Sequence, residues 1–177
     1  MVDVKEYERA IFMLAEELGV TERIMEELKI AGELIKDNPK YVSLIETPAL
    51  PMEEKLSLID GAFSSFDESL LSFLKILVEK RLLRYVPEIS RGFVSLYDDS
   101  RGILRAEAIS AVALSKEQLE KIKERLEKKC EKTVIITNTV SPDMLGGVTL
   151  RYSGTQLDGS LKTRLDKLKA NLKGAIV

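Results

Sequence analysis

The sequence predicts an N-terminal all-α six-helix bundle followed by a small C-terminal α+β domain. Up to Gly102, apolar side chains recur every three or four positions, which is the spacing of one face of a helix. After Gly102 the chain changes to runs of β-branched residues and closely spaced glycines, which favour strands and turns. A chain of 177 residues with 45% hydrophobic residues is long enough for two cores. We therefore predict domains at residues 1–102 and 103–177.

The first four helices are indicated by their apolar stripes and by the residues that bound them. Gly19 ends the first helix and Thr21 is placed to cap the second, while Pro51 opens the fourth as a first-turn proline. The stripes are Val4, Tyr7, Ile11, Leu14 and Leu18 in the first helix, Ile24, Leu28, Ala31 and Ile35 in the second, residues 41–45 in the third, and Met52, Leu56, Ile59 and Phe63 in the fourth.

The fifth predicted helix, residues 68–84, is apolar on most of its sides. A helix of this kind is either central to its bundle or buried against a partner. Pro87 then marks a boundary, and a sixth helix follows. Its stripe is Ile89, Phe93, Leu96 and Tyr97.

The second domain begins with an ambiguous segment, residues 103–114. Its alanines favour a helix, but its position between a glycine and a helix cap allows a strand. Ser115 and Gln118 have the spacing of a capping box and predict an amphipathic helix after it. Residues 133–140 are rich in β-branched side chains and predict a strand. A C-terminal helix with a leucine stripe and many basic residues is predicted to complete the domain.

Composition excludes several classes of site. The chain has no histidine, which removes the commonest general base and metal ligand, and its single cysteine excludes an internal disulfide. The net charge of −2 does not indicate a nucleic-acid-binding domain. The N-terminus lacks the pattern of a signal peptide, and no apolar run approaches the length of a membrane span. We expect a soluble intracellular protein without a cofactor.

A glycine-rich segment, residues 144–160, resembles a catalytic or phosphate-holding loop at first sight. Gly146 and Gly147 lack the spacing of a P-loop or of a dinucleotide-binding fingerprint, so we interpret them as permitting a bulge or a close backbone approach. Gly159 allows a sharp turn into the last helix. These structural roles weigh against a catalytic loop.

The same segment predicts a β-hairpin with a two-residue turn at Ser153 and Gly154. In this register Arg151 and Asp158 become diagonal neighbours across the two strands, within reach of an ion pair. The predicted pairs are Thr149 with Asp158, Leu150 with Leu157, Arg151 with Gln156, and Tyr152 with Thr155.

Residues 145–168 read LGGVTLRYSGTQLDGSLKTRLDKL. This run closely resembles the signature of the delta subunit of the bacterial F-type ATP synthase, whose mitochondrial relative is the oligomycin-sensitivity-conferring protein. Upstream, Tyr7-x-Arg9-Ala10-Ile11-Phe12 is similar to the family's first helix, and Val86-Pro87-Glu88-Ile89 to its central region. Ser141 before Pro142 departs from the family, where an aspartate is frequent.

The resemblance implies a non-catalytic stator subunit. In the family, a six-helix bundle binds N-terminal segments of the alpha subunits of the catalytic head, with the beta subunits as a further candidate. The C-terminal domain binds the membrane-anchored b subunits. The subunit thereby couples proton- or sodium-driven rotation to ATP synthesis at the cytoplasmic face of the bacterial plasma membrane. The family implies one copy per complex, a monomer when isolated, no nucleic acid and no membrane insertion.

The resemblance also suggests contact residues. In the family a groove between the first and fifth helices receives an amphipathic alpha-subunit helix, although each position could equally be ordinary core. A basic face of the last helix is suggested for the b subunits. The candidates are Tyr7, Ile11, Leu74, Leu77 and Val78 for the groove, and Lys162, Arg164, Lys167 and Lys169 for the basic face. The alternative function is a helical adaptor or nucleic-acid-binding regulator that shares only the fold.

Overall fold

A computed structural model of the chain describes residues 3–142, 144, 146–152 and 155–158. The chain divides into two units, the first ending at Tyr97 and the second beginning at Asp98. The first unit is helical and the second combines helix and sheet, as the sequence predicts. None of the described helices is both long and apolar enough to cross a membrane.

The described helices and strands follow one another in the predicted order of types. The helices are α1 (Val4–Leu18), α2 (Thr21–Asp37), α3 (Pro39–Glu46), α4 (Met52–Ala62), α5 (Glu68–Glu79), a 3-10 turn (Leu83–Tyr85), α6 (Val86–Ser100) and α7 (Lys116–Cys130). The strands are β1 (Ile103–Ser110), β2 (Thr133–Val140), β3 (Val148–Tyr152) and β4 (Thr155–Asp158).

The first unit has one hydrophobic core to which all six of its α-helices contribute. The predicted stripe of α2 is confirmed, because its four residues are at most 3% exposed. On α1 the stripe is split: Ile11 is buried, whereas Leu14 and Leu18 are 38% and 52% exposed. An edge-to-face contact between Phe12 and Phe93, with ring centroids 5.4 Å apart, joins α1 to α6.

The boundary between α1 and α2 is set by backbone rather than by a threonine cap. Gly19 has φ +68°, and the N–H of Val20 donates to Ala15 O at 3.0 Å, which closes α1 with a left-handed turn. The prediction that Thr21 caps α2 is wrong. Thr21 is the first residue of α2 and is 7% exposed, and the preceding Val20 makes no side-chain cap.

The prediction of one helix over residues 68–84 is also wrong, since α5 ends at Glu79. Arg81 adopts φ +58°, its N–H donates to Val78 O at 3.0 Å, and the N–H of Leu82 donates to Leu77 O at 2.7 Å. This pattern is a Schellman motif formed without glycine. The turn redirects Leu82 and the following residue into the core, so burial of these leucines compensates the backbone strain at Arg81.

The second unit contains a four-stranded sheet in the order β2-β1-β3-β4. The ambiguous segment after Gly102 forms β1, which pairs in parallel with β2 and antiparallel with β3. Because parallel neighbours need a crossover connection, α7 links β1 to β2. The capping box is confirmed: Gln118 N donates to Ser115 Oγ at 3.2 Å, and Ser115 N donates to Gln118 Oε1 at 2.9 Å.

The predicted hairpin register is confirmed for all four pairs of β3 and β4. The core of this unit lies between the sheet and α7, where Leu104, Ala106 and Val134 pack with Leu126. Side chains at alternating positions on these strands point to the opposite face of the sheet.

Candidate partner-binding surfaces

Four of the five residues suggested for the groove are buried in the core of the first unit. Ile11, Leu74, Leu77 and Val78 are 1%, 0%, 0% and 3% exposed, and all four belong to the core. Tyr7 is half-buried and packs against that core. The four buried side chains therefore support the surface residues of α1 and α5, and they are not exposed to contact a partner.

An exposed apolar edge runs along α1 beside Ile11. Tyr7, Leu14 and Leu18 are seven and four residues apart, so they follow one line on the helix surface. Leu14 and Leu18 are 38% and 52% exposed, and Met13 next to them is 70% exposed. The α1 edge, defined as Tyr7, Leu14 and Leu18, is a surface on which an apolar helix face could pack.

On α5 the exposed apolar residue is Ile76, at 46%. The neighbouring Lys75 pairs with Asp60 of α4 at 2.6 Å, which fixes α4 against that side of α5. Ile76 projects about 100° further around the helix. Its exposed side chain is therefore on a part of α5 that the Lys75 contact with α4 leaves accessible.

The N-terminus of α5 is tied to α2 by a small charged network. Arg23 pairs with Glu27 at 2.9 Å and with Asp67 at 3.4 Å, and the N–H of Asp67 donates to Glu27 Oε2 at 2.7 Å. Asp67 also accepts from Ser69 N at 3.0 Å as the cap of α5. These bonds join the start of α5 to α2.

A second apolar surface was not predicted from the sequence. A cleft of about 250 Å³ is lined by Leu34 of α2, Tyr41 of α3 and Ala62 of α4, among others. The Tyr41 hydroxyl donates to Leu58 O at 3.1 Å, and burial raises the pKa of Tyr41 above its usual value. A signal was present in the sequence, since Ile30 and Leu34 repeat at four residues outside the buried stripe of α2.

One carboxyl group at the α1–α6 contact has an unusual environment. The carboxyl of Glu8 lies so close to Gly92 that a β-carbon there would collide with it. Burial raises the pKa of Glu8, and the nearby Glu88 carboxylate raises it further. Lys5 and Arg9 act in the opposite direction with smaller effects, and Asp3 adds to the increase.

In the second unit, the face of the sheet opposite α7 carries a shallow cleft of about 440 Å³. Arg105, Glu107, Ile135 and Arg151 line it, and Ile135 is 40% exposed. The guanidinium of Arg105 is held by both carboxylate oxygens of Asp98, at 2.6 and 2.9 Å. The sequence predicts the strands that carry Ile135 and Arg151 and leaves the segment with Arg105 and Glu107 ambiguous, and it does not single out this face as a surface.

The predicted roles of Gly146, Gly147 and Arg151 can be compared with the structure only in part, because the side chain of Asp158 is not described. Gly146 and Gly147 have φ +143° and +89°, values that favour glycine and agree with a backbone role. Arg151 Nε donates to Gln156 Oε1 at 3.2 Å, its direct cross-strand neighbour. The side chain of Asp158 lies outside the described residues, so its pairing with Arg151 stays a prediction.

The suggested basic face also lies outside the described residues, as does Gly159. This applies to Lys162, Arg164, Lys167 and Lys169, whose role stays a prediction. Within the described part of the chain, no group of three or more Cys, Asp or Glu side chains is arranged to hold a metal ion.

Comparison with known proteins gives a consistent result over nearly the whole chain. The sequence profile of the ATP synthase delta (OSCP) subunit family matches residues 4–172. ATP synthase subunit delta of Desulfotalea psychrophila is 34% identical over 172 residues, covering 96% of this chain and 95% of the relative. ATP synthase subunit delta of Geobacillus sp. (strain WCH70) is 32% identical over 171 residues, covering 96% of both chains.

A solved structure gives the same fold. A chain in the Toxoplasma gondii mitochondrial ATP synthase hexamer matches with a TM-score of 0.71 at 20% identity, over 97% of this chain and 98% of that one. The profile match and the two bacterial relatives together show that the chain belongs to the ATP synthase delta (OSCP) subunit family, whose members are structural and not catalytic subunits.

Proposed function

We propose that the chain links the catalytic head of an F-type ATP synthase to its membrane-anchored b subunits. In this proposal α1–α6 act as a six-helix bundle that binds N-terminal segments of the alpha subunits. The C-terminal domain, residues 103–177, binds the b subunits at the cytoplasmic face of the plasma membrane. The link would resist the torque of the rotor, so that proton- or sodium-driven rotation is coupled to ATP synthesis.

The exposed α1 edge is the observation that carries the head contact. Leu14 and Leu18 are accessible, whereas Ile11 between Tyr7 and Leu14 is buried and supports them from below. An amphipathic alpha-subunit helix that packs here would cover apolar surface that is otherwise in contact with water. We propose the α1 edge together with Ile76 as the contact set, in place of the buried residues Leu74, Leu77 and Val78.

The test is a calorimetric titration of the full chain with a peptide of the alpha-subunit N-terminus. Leu14→Asp places a charge on the α1 edge and is expected to weaken binding at least tenfold, about 1.4 kcal/mol. Leu44→Asp is the matched control, because Leu44 is also a half-exposed helical leucine, at 47%, but lies on α3. Equal binding by both variants and the unmodified chain would contradict the proposed surface.

The b-subunit contact is proposed for the basic face of the C-terminal segment, Lys162, Arg164, Lys167 and Lys169. Four lysine and arginine residues against an acidic partner would give affinity that falls as salt rises. Changing all four to glutamine is expected to weaken binding to the soluble part of the b subunit and to remove most of the salt dependence. Ile135→Glu on the sheet face is the comparison variant. If only this variant loses binding to the b subunit, the contact lies on the sheet face and not on the basic C-terminal segment.

A further inference from the structure

A cleft between α2 and the N-terminal part of α6 has no role in the proposed link. Its volume is about 350 Å³, and it lies within the first unit. Three cations line it, Lys29 and Lys36 from α2 and Arg91 from α6, together with one carboxylate, Glu33. Three positive groups and one negative group leave two positive charges at the cleft.

The three cations lack ionic partners in the described part of the chain. Glu33 is four residues from Lys29 and three from Lys36, spacings that often give helix ion pairs. Nevertheless, neither ammonium nor the Arg91 guanidinium has a carboxylate oxygen within 4.0 Å among the described residues. Arg91 Nε donates to Pro87 O at 3.2 Å, which orients the guanidinium and leaves its terminal amino groups for a ligand.

The floor of the cleft is built by close helix packing. A β-carbon at Gly32 would lie 3.4 Å from Pro87 Cα and 3.5 Å from Ser90 Cβ, ordinary van der Waals distances that show how closely α2 packs on α6 here. Ser90 is 7% exposed and lines the cleft. No hydrogen bond to another described residue involves its hydroxyl, and no buried side-chain oxygen or nitrogen in the described part of the chain lacks a partner, so this hydroxyl opens onto the cleft.

The N-terminal turn of α6 adds to the positive potential. Pro87 and Ser90 belong to the first turn and a half of this 15-residue helix, whose N-terminus carries the positive end of the helix dipole. The cleft thus combines two lysine ammonium groups, an oriented guanidinium, an accessible hydroxyl and a helix dipole, which are the groups that recur around bound phosphates.

We propose that this cleft binds a phosphate group, either free phosphate or a phosphate monoester. A phosphate dianion neutralises the two excess charges, whereas a single carboxylate would leave one of them. The Ser90 hydroxyl and the Arg91 amino groups donate to its oxygens, and the two lysines close over it from α2. The remaining volume leaves room for a small substituent on the phosphate.

The experiment follows the amide resonances of the full, ¹⁵N-labelled chain by NMR during titration with inorganic phosphate at constant ionic strength. Saturable shifts at Gly32, Ser90 and Arg91, complete by about 10 mM, are expected. The double variant Lys29→Gln with Lys36→Gln is expected to lose at least tenfold in affinity. Lys40→Gln is the control, because it removes an exposed lysine of α3 outside the cleft. Non-saturable shifts, or an equal loss in the control, would overturn the proposal.

Ser90→Ala separates a built site from general surface charge. It leaves the charge unchanged, so a loss of phosphate affinity supports donation by the hydroxyl, and unchanged affinity overturns that geometry.

Co-sedimentation with phosphatidic acid vesicles and with phosphatidylcholine vesicles identifies the source of the phosphate. If the chain sediments with phosphatidic acid vesicles only, and the lysine double variant does not, the phosphate belongs to a lipid headgroup. If free phosphate saturates the cleft and the chain does not sediment with either vesicle, the ligand is soluble. Titration with the alpha-subunit peptide should be unaffected, which keeps this result separate from the proposed link.

Discussion

Replacing Leu77 by alanine distinguishes a core residue from an interface residue. Leu77 is 0% exposed and lies in the last turn of α5. The change removes three buried carbon atoms, worth about 2.4 kcal/mol at about 0.8 kcal/mol each. The cavity left behind adds to this cost, so we expect the first unit to lose about 3–4 kcal/mol of unfolding free energy.

Ile76→Ala is the matched comparison, one residue away on the same helix. Ile76 is 46% exposed, so about half of the same transfer energy is lost, and the better helix propensity of alanine offsets part of it. We expect a loss of about 1 kcal/mol or less.

The assay is urea unfolding of the full chain followed by tyrosine fluorescence. Four of the five tyrosines precede Asp98, so the signal reports mainly on the first unit. A cost below about 1 kcal/mol for Leu77→Ala, combined with loss of alpha-peptide binding, would refute the core assignment and restore Leu77 to the partner surface.

Three further changes test local features. Ser115→Ala removes the capping box with Gln118 and should lower the unfolding free energy of the second unit by about 1 kcal/mol. Circular dichroism should show a lower melting temperature, and an unchanged melting temperature would count against the cap. Arg81→Gly should stabilise the first unit by about 1 kcal/mol in urea unfolding, because glycine accepts φ +58° without strain. Destabilisation would mean that contacts of the arginine side chain contribute more to the unfolding free energy than the backbone strain costs. Because the pKa of Glu8 is raised in the folded chain, ionisation of Glu8 opposes folding. Glu8→Gln should therefore stabilise the chain at pH 7. The gain in stability should disappear as the pH falls below the usual glutamate pKa of about 4.3. A gain of equal size at pH 3 and pH 7 would exclude this explanation.

The helices and strands were largely predictable because their signals are local. The buried stripe of α2, the capping box of Ser115 and the hairpin register all depend on residues within a few positions of one another. The end of α5 was not predictable in the same way. Nothing in the sequence marks Arg81 as left-handed, and the turn there is favoured by burial of Leu82 in a core built by distant helices.

The candidate site was less predictable than the fold. Periodicity assigns Ile11 and Leu14 to one stripe, yet only packing against other helices decides that the first is buried and the second is exposed. The phosphate cleft illustrates the same point, since Gly32 and Ser90 are far apart in sequence and meet only when α2 crosses α6. The choice between a stator subunit and a helical adaptor or nucleic-acid-binding regulator came from the family signature, not from composition.

In the proposed link, one copy of the chain holds the head and the stalk at the same time. Mixing the full chain with an alpha-subunit N-terminal peptide and the soluble part of the b subunit, followed by size-exclusion chromatography with light scattering, tests it directly. We expect a complex that contains all three components and one copy of this chain. Displacement of either partner by the other, or elution of the chain alone, would contradict it.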